Sequence, residues 1–348
     1  MNETDEAGSM AQRIEAMKSS RVPFELLPPI PVNMLVELSN ACNHACIFCT
    51  NPHMQRKIGR IENGLMEGIL ASGYDAGVRE IGFYTTGDPL VHKELERFTR
   101  EAKRLGYRYA YISTNGAAGG VERFRSVIDA GMDSIKFSIN AGTRESYKLI
   151  HGRDHFDRVI DNLRFVSEYR RTLSRPLRLF VTCVVTKQIE HEKDALRELV
   201  TPFVDELVFS PCDSQQGQML GAGPLLGFQG QPAVKGSATA VCPLPFNRLH
   251  VTYEGYLTLC CVDYQNYLAV ADLKSMSLTA AWRSAEFVAA RRRHLEQKLA
   301  GTLCGNCWHG AMEKVAPLVP ELASPIDFDR LYADQVEVVK ARLARHNG

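Results

Sequence analysis

Three cysteines stand together at Cys42, Cys46 and Cys49. Five more, Cys242, Cys260, Cys261, Cys304 and Cys307, gather in the last third, and only Cys183 and Cys212 stand apart. Ten cysteines in 348 residues do not read as a disulfide framework, because a chain this long buries enough core to need no staples. They read as metal ligands. Cys42-Asn-His-Ala-Cys46-Ile-Phe-Cys49 offers three thiolates from one short segment. A [4Fe–4S] cluster held by three cysteines keeps one iron open, whereas four protein ligands close it. The competing reading is a structural zinc site completed by His44 or His53. Zinc more often uses paired C-x2-C elements, so a C-x3-C-x2-C triplet with an aromatic before its last cysteine favours the cluster.

From about residue 33 short β-type runs alternate with helical patterns. The strand candidates are Met34 to Leu38, Glu80 to Tyr84, Arg108 to Ser113, Ser134 to Ile139, Leu179 to Val185 and Glu206 to Ser210. Between them, Leu65, Met66, Ile69, Leu70 and Leu95, Phe98, Ala102, Leu105 fall at three- and four-residue spacing, which puts them on one helix face. Strands with helical crossovers imply an α/β fold with a parallel sheet. Six repeats fall short of a closed eight-stranded barrel, so the expectation is an open, partial (β/α)6 barrel over residues 33–212, with a doubly wound sheet as the fallback. In either fold the chemistry gathers at the carboxyl ends of the strands, and the cysteine triplet follows the first strand directly.

Residues 213–240 break the rhythm with Gln, Gly and Pro, and read as a lid over the barrel mouth or as a linker. Leu249 to Tyr253, a turn at Glu254-Gly255 and Tyr256 to Cys261 read as a β-hairpin. Helical patterns follow at Leu278 to Lys298 and Phe328 to Arg345. Residues 1–32 form an N-terminal segment in which Met10, Ile14 and Met17 suggest a short helix. A small C-terminal domain over residues 241–310, hairpin plus helix, and a final helix in 311–348 complete the expected order.

The charge is balanced, 41 Lys+Arg against 40 Asp+Glu, with a net charge of +1. That argues against a nucleic-acid binder, which relies on clustered positive charge. No apolar run has the length of a membrane span, and the acidic start lacks the basic region that opens a signal peptide. A cytoplasmic location is the expectation.

At these residues the sequence resembles the radical S-adenosylmethionine (SAM) superfamily, over about residues 33–212. The resemblance implies that the open iron binds the amino and carboxylate groups of SAM, and that one-electron cleavage yields a 5′-deoxyadenosyl radical that takes a hydrogen atom from substrate. It implies an adenine-side role for Phe48. Thr85-Thr86-Gly87-Asp88-Pro89 looks like the family's Gly-Gly-Glu-Pro motif for the SAM amino group, with Thr86 in place of the first Gly and Asp88 in place of Glu. Ser138 and Asn140 match positions offering polar groups to the SAM ribose or carboxylate. Asn115 and Arg153 are further SAM candidates, Arg153 through its bidentate fork.

Cys242, Gly255 and Cys260, then Cys304-Gly-Asn-Cys307, resemble the auxiliary-cluster extension of the SPASM and twitch subclasses. Four cysteines suffice for one auxiliary [4Fe–4S] cluster, with a zinc site from the same four as the alternative. Adjacent side chains in an extended strand point to opposite faces, which leaves Cys261 spare. Cys261 and Cys212, the latter just past the sixth strand, are either buried structural thiols or hydrogen-atom donors. Arg291-Arg292-Arg293 reads as a solvated helix face, His309 as a surface histidine, and Trp282 with Phe287 as core.

The twitch-like spacing most resembles a dehydrogenase acting on a secondary alcohol of an aminocyclitol in antibiotic biosynthesis. The expectation is therefore a small polyhydroxylated substrate of sugar, aminocyclitol or nucleoside type. An electron donor such as flavodoxin or ferredoxin is the expected partner. Radical epimerases, dehydratases and decarboxylases share the architecture. Peptide-modifying members tend to be longer, which argues against a peptide substrate. A non-catalytic iron–sulfur or zinc protein is the contrasting class.

Overall fold

In a computed structural model, residues 24–228 and 241–347 are described. The helix expected around Met10, Ile14 and Met17 and the second half of the expected lid lie outside them. Six strands, β1 (Asn33–Val36), β2 (Glu80–Gly82), β3 (Tyr109–Thr114), β4 (Ser134–Ser138), β5 (Arg178–Val185) and β6 (Glu206–Pro211), pair in parallel, each with its sequence neighbour. All six fall within a few residues of the expected runs. β6 ends the sheet and does not meet β1, so the barrel is open.

Alternation within the strands separates two faces. In β3, Ala110, Ile112 and Thr114 are buried while Tyr109, Tyr111 and Ser113 are half-buried. In β4, buried Phe137 stacks on Phe124 of the helix Val121–Asp129, with centroids 5.2 Å apart. The Phe137 side is thus the helix-facing side, and Lys136 and Ser138 point into the concave interior. Each fully buried side chain of this size contributes roughly 1.5–3 kcal/mol, so the apolar row fixes the register and the opposite row is free to be polar.

The C-terminal hairpin is not a separate sheet. β7 (Leu249–Val251) pairs in parallel with the free edge of β1, matching Met34 with Leu249 and Val36 with Val251. β8 (Tyr256–Thr258) and β9 (Ala269–Asp272) then add antiparallel strands, giving the order β6-β5-β4-β3-β2-β1-β7-β8-β9. β1 would otherwise expose an unpaired edge beside the cysteine triplet.

Two other expectations are corrected. Residues 213–228 are packed rather than structureless: Met219 and Leu226 are buried and short helical turns run over Leu220–Ala222 and Gly223–Leu226. The Tyr332 hydroxyl in the final helix, Phe328–Asn347, donates to the Gly217 carbonyl at 2.8 Å. Arg291 is not solvated. It is fully buried, donates to the carbonyls of Pro245, Trp282 and Leu26, and stacks against Trp282 and Phe287 at 4.0 and 3.9 Å. Trp282 and Phe287 are core, as expected, and His309 is exposed.

Candidate active site and iron–sulfur centres

The cysteine triplet lies on the loop after β1, held at the end of the helix Arg144–His151. Amides of Ala45 and Ile47 donate to the carbonyls of His151 and Ile150 at 3.1 and 2.9 Å. Arg342 of the final helix donates to the Ala45 carbonyl at 2.6 Å. Gly152 ends the first of these helices at φ 68°, and a Cβ there would sit 2.9 Å from the Ala45 carbonyl oxygen, so only glycine fits this approach.

Each thiol of the triplet meets a donor from a different element. The Asn115 amide at the end of β3 reaches Cys42 Sγ at 3.7 Å, His151 Nδ1 lies 3.5 Å from Cys46 Sγ, and the Tyr264 hydroxyl lies 3.4 Å from Cys49 Sγ. The Asn51 backbone amide adds a 3.4 Å contact to Cys49. Burial pushes the Cys42 thiol up to about 12, with Asp88 adding to the shift, and it raises Cys46 and Cys49 as well. Thiols raised by burial and surrounded by donors, with the Arg342 charge opposing the shift at Cys46, suit a metal centre that deprotonates them on binding.

The Thr85–Pro89 turn is pressed onto this loop. A Cβ on Gly87 would fall 2.2 Å from the Ser39 carbonyl oxygen, and the Asp88 amide donates to the Ala41 carbonyl at 2.9 Å. Thr86 donates through its hydroxyl to Glu37, which is paired with Arg56. Asp88 also braces the fold at this turn. Its buried carboxylate accepts from Thr114 Oγ1 at 2.8 Å, Asn115 N at 2.7 Å and Leu90 N at 3.0 Å, bracing the ends of β2 and β3.

Asn140 is likewise turned inward, accepting from Val184 N at 2.7 Å and facing His151. Ser138 is half-buried on the concave face, 3.5 Å from Ser113. Phe48 and Pro89 are buried, and Arg153 is exposed.

In the second set, Cys304 and Cys307 lie in the first turns of the helix Leu303–His309, capped by Thr302. Burial raises Cys304, with Cys242 and Cys307 reinforcing it. Burial also takes Cys307 up to about 12 and Cys242 up to about 11. Cys260 and Cys261 do not point to opposite faces, because β8 ends at Thr258 and both lie in the turn beyond. Their thiols adjoin. Cys261 is the more easily ionised, through the thiol of Cys260 and then His250 and Arg248.

Among the described residues, three potential ligand atoms come within 4.8 Å of one another only at His44, Cys46 and His151.

The residue that sequence reasoning missed is Lys136. On the concave face, its ammonium lies 5.2 Å from the Tyr84 ring centroid. Burial lowers it to about 8, Arg248 adds to the shift, and Cys261 opposes it. The signal was a lone lysine at the inward-facing position of an alternating strand. Cys212 is buried, its thiol raised to about 12 by burial, and it lines a cleft of about 520 Å3 with Lys187, Glu190 and Lys193.

Residues 36–199 match the radical SAM superfamily and residues 242–308 match SPASM, an iron–sulfur cluster-binding domain. The chain belongs to the radical SAM superfamily. The radical SAM match implies SAM and a [4Fe–4S] cluster as cofactors, and the SPASM match an auxiliary iron–sulfur centre.

Among curated relatives, an uncharacterized protein of Methanocaldococcus jannaschii is 32% identical over 143 residues, 41% of this chain and 46% of that one. A probable GTP 3′,8-cyclase of Metallosphaera sedula is 30% identical over 185 residues, 50% of this chain and 54% of that one. The chain thus spans about half the length of the curated relatives it matches. Among solved structures, BtrN in complex with AdoMet and 2-DOIA aligns at TM-score 0.54 and 18% identity, covering 84% of this chain and 96% of that one. Native anSMEcpe with bound AdoMet aligns at 0.60 and 14%, covering 91% and 100%. At these identities the likeness shows the fold. Native anSMEcpe is also solved with bound AdoMet and Cp18Cys peptide, covering 91% of this chain and 99% of that one. No helix among the described residues is long and apolar enough to cross a membrane.

Proposed function

We propose that this enzyme oxidises a secondary alcohol of a small polyhydroxylated molecule of sugar, aminocyclitol or nucleoside type. The observation that carries the reading is Lys136, placed on the concave face within electrostatic reach of both Arg248 and Cys261. Removing the carbinol hydrogen atom leaves a carbon radical whose oxidation to a ketone releases one proton and one electron. SAM held at the first cysteine set would supply the hydrogen-abstracting chemistry, and an auxiliary centre held by the second would supply an electron acceptor.

Lys136 Nζ accepts the hydroxyl proton. Burial and the Arg248 charge keep a fraction of it unprotonated near neutral pH, as a general base requires. Ser113, Ser138 and Thr182 share its face and offer hydrogen bonds to hydroxyl groups. Cys42, Cys46 and Cys49 hold the SAM-binding cluster, supplied with electrons by a flavodoxin or ferredoxin, and Cys242, Cys260, Cys304 and Cys307 hold the auxiliary one.

Cys261 supports a second reading, epimerisation. A spare thiol at the same chamber could return a hydrogen atom to the opposite face of the carbon radical.

The test uses aminocyclitols, sugars and, in view of the cyclase relatives, nucleotides, each deuterated at the carbinol carbon. Dehydrogenation moves deuterium into 5′-deoxyadenosine and gives a ketone lighter than unlabelled substrate by two hydrogens. Lys136→Met should still transfer the deuterium but form little ketone. With unlabelled substrate, a product of unchanged mass in ordinary water that gains one deuterium in heavy water identifies the epimerase, and Cys261→Ala should then abolish it.

A further inference from the structure

His151 is fully buried at the end of the helix Arg144–His151, its ring stacked on Tyr147 with centroids 4.0 Å apart. Its Nε2 receives the Asn140 backbone amide at 3.2 Å and lies 3.4 Å from Asn140 Nδ2. The orientation of that carboxamide is fixed, because Asn140 Oδ1 accepts from the Val184 amide at 2.7 Å. Two N–H groups therefore point at Nε2, which must be the bare nitrogen. The ring proton then sits on Nδ1, 3.5 Å from Cys46 Sγ.

We propose that His151 is a positioning residue for the cluster held by Cys42, Cys46 and Cys49: its Nδ1–H is donated to the Cys46 sulfur in a relay running Val184, Asn140, His151, Cys46. The inference rests on the assignment of Cys46 as a cluster ligand. The same tautomer argues against a single metal ion among His44, Cys46 and His151, because Nδ1, the nitrogen facing Cys46, has no lone pair to offer. Hydrogen bonds to cluster sulfurs set reduction potential, since they stabilise the more negative reduced state.

The test is an EPR-monitored redox titration of anaerobically reconstituted protein. His151→Phe keeps the ring on Tyr147 and removes the N–H, whereas His151→Asn places a carboxamide N–H near the Nδ1 position. The Phe variant should lower the reduction equilibrium constant of the SAM-responsive cluster about tenfold, about 59 mV for one electron. The Asn variant should recover most of it, with the auxiliary potential unmoved in both. A SAM-responsive cluster whose potential ignores the Phe substitution overturns the inference alone, as does an equal shift in both clusters. Absence of any SAM-responsive signal in unsubstituted protein instead overturns the ligand assignment on which it rests. Should the Phe variant not fold, pulsed EPR of unsubstituted protein carrying 15N-histidine should show a weak nitrogen coupling to the reduced cluster, and its absence overturns the inference.

Discussion

The Tyr264 hydroxyl lies 3.4 Å from Cys49 Sγ and 2.9 Å from Gln215 Oε1. One phenol thus joins the turn after Cys260 and Cys261 to the cysteine triplet and to the segment that follows β6. A phenol has one proton. Without metal it goes to Gln215 Oε1 and the Cys49 thiol donates to the phenol; once Cys49 ligates iron, sulfur and the amide oxygen share the one phenol proton as acceptors. Tyr264→Phe keeps the ring and removes this tie. Iron at the first site should then be lost several-fold faster in air, with stability lowered by about 1 kcal/mol. Following the cluster absorbance over time checks this; an unchanged rate contradicts it.

Asp88 supports the fold through three donors. Asp88→Ala leaves Thr114 Oγ1 and two amides buried without their acceptor, at a cost of roughly 3 kcal/mol. Asp88→Asn should recover part of that. Denaturant unfolding beside SAM titration is the check, and a variant of wild-type stability that binds SAM poorly would contradict the bracing role and favour a direct contact with SAM.

Arg291 pins the Leu26–Pro28 segment to the helical layer behind β9. Arg291→Ala removes hydrogen bonds to three carbonyls and the contacts with two aromatic rings. A loss of roughly 3 kcal/mol or more is expected, against less than 0.5 kcal/mol for Arg292→Ala on the exposed face. Equal melting temperatures for the two variants contradict this placement.

His294 gives stability a pH dependence of definite sign. Burial lowers it from 6.5 to about 4, so between those values the unfolded chain binds a proton that the folded chain does not. The contribution is complete above about pH 6.5 and is lost as pH falls toward 4, reaching roughly 3 kcal/mol. His294→Phe should flatten unfolding stability across that window. An unchanged slope would falsify the assignment.

The six barrel strands were legible because helix-facing residues such as Ile112 and Phe137 alternate with polar ones, and the cysteine sets because ligand spacing is local. What was not legible depended on contacts between distant residues. Nothing in Leu249–Val251 announces that three residues pair with β1. The adjacency of Cys260 and Cys261 turned on where β8 stops, and a strand end set three residues early reverses the inferred geometry. Arg291 looked solvated beside Arg292 and Arg293, since the carbonyls it satisfies belong to Leu26, Pro245 and Trp282. His151 carried no signal, because its tautomer is set by Asn140 and Val184.

The central claim is that two separate cysteine sets hold two iron–sulfur centres, only the first of which cleaves SAM. The direct measurement is iron content and 5′-deoxyadenosine yield in reduced, anaerobically reconstituted protein, beside a Cys42, Cys46, Cys49→Ala triple variant. Wild type should carry about eight irons and form 5′-deoxyadenosine; the variant should keep about four irons and form none. Product from the variant, or none from wild type carrying both clusters, would contradict the account.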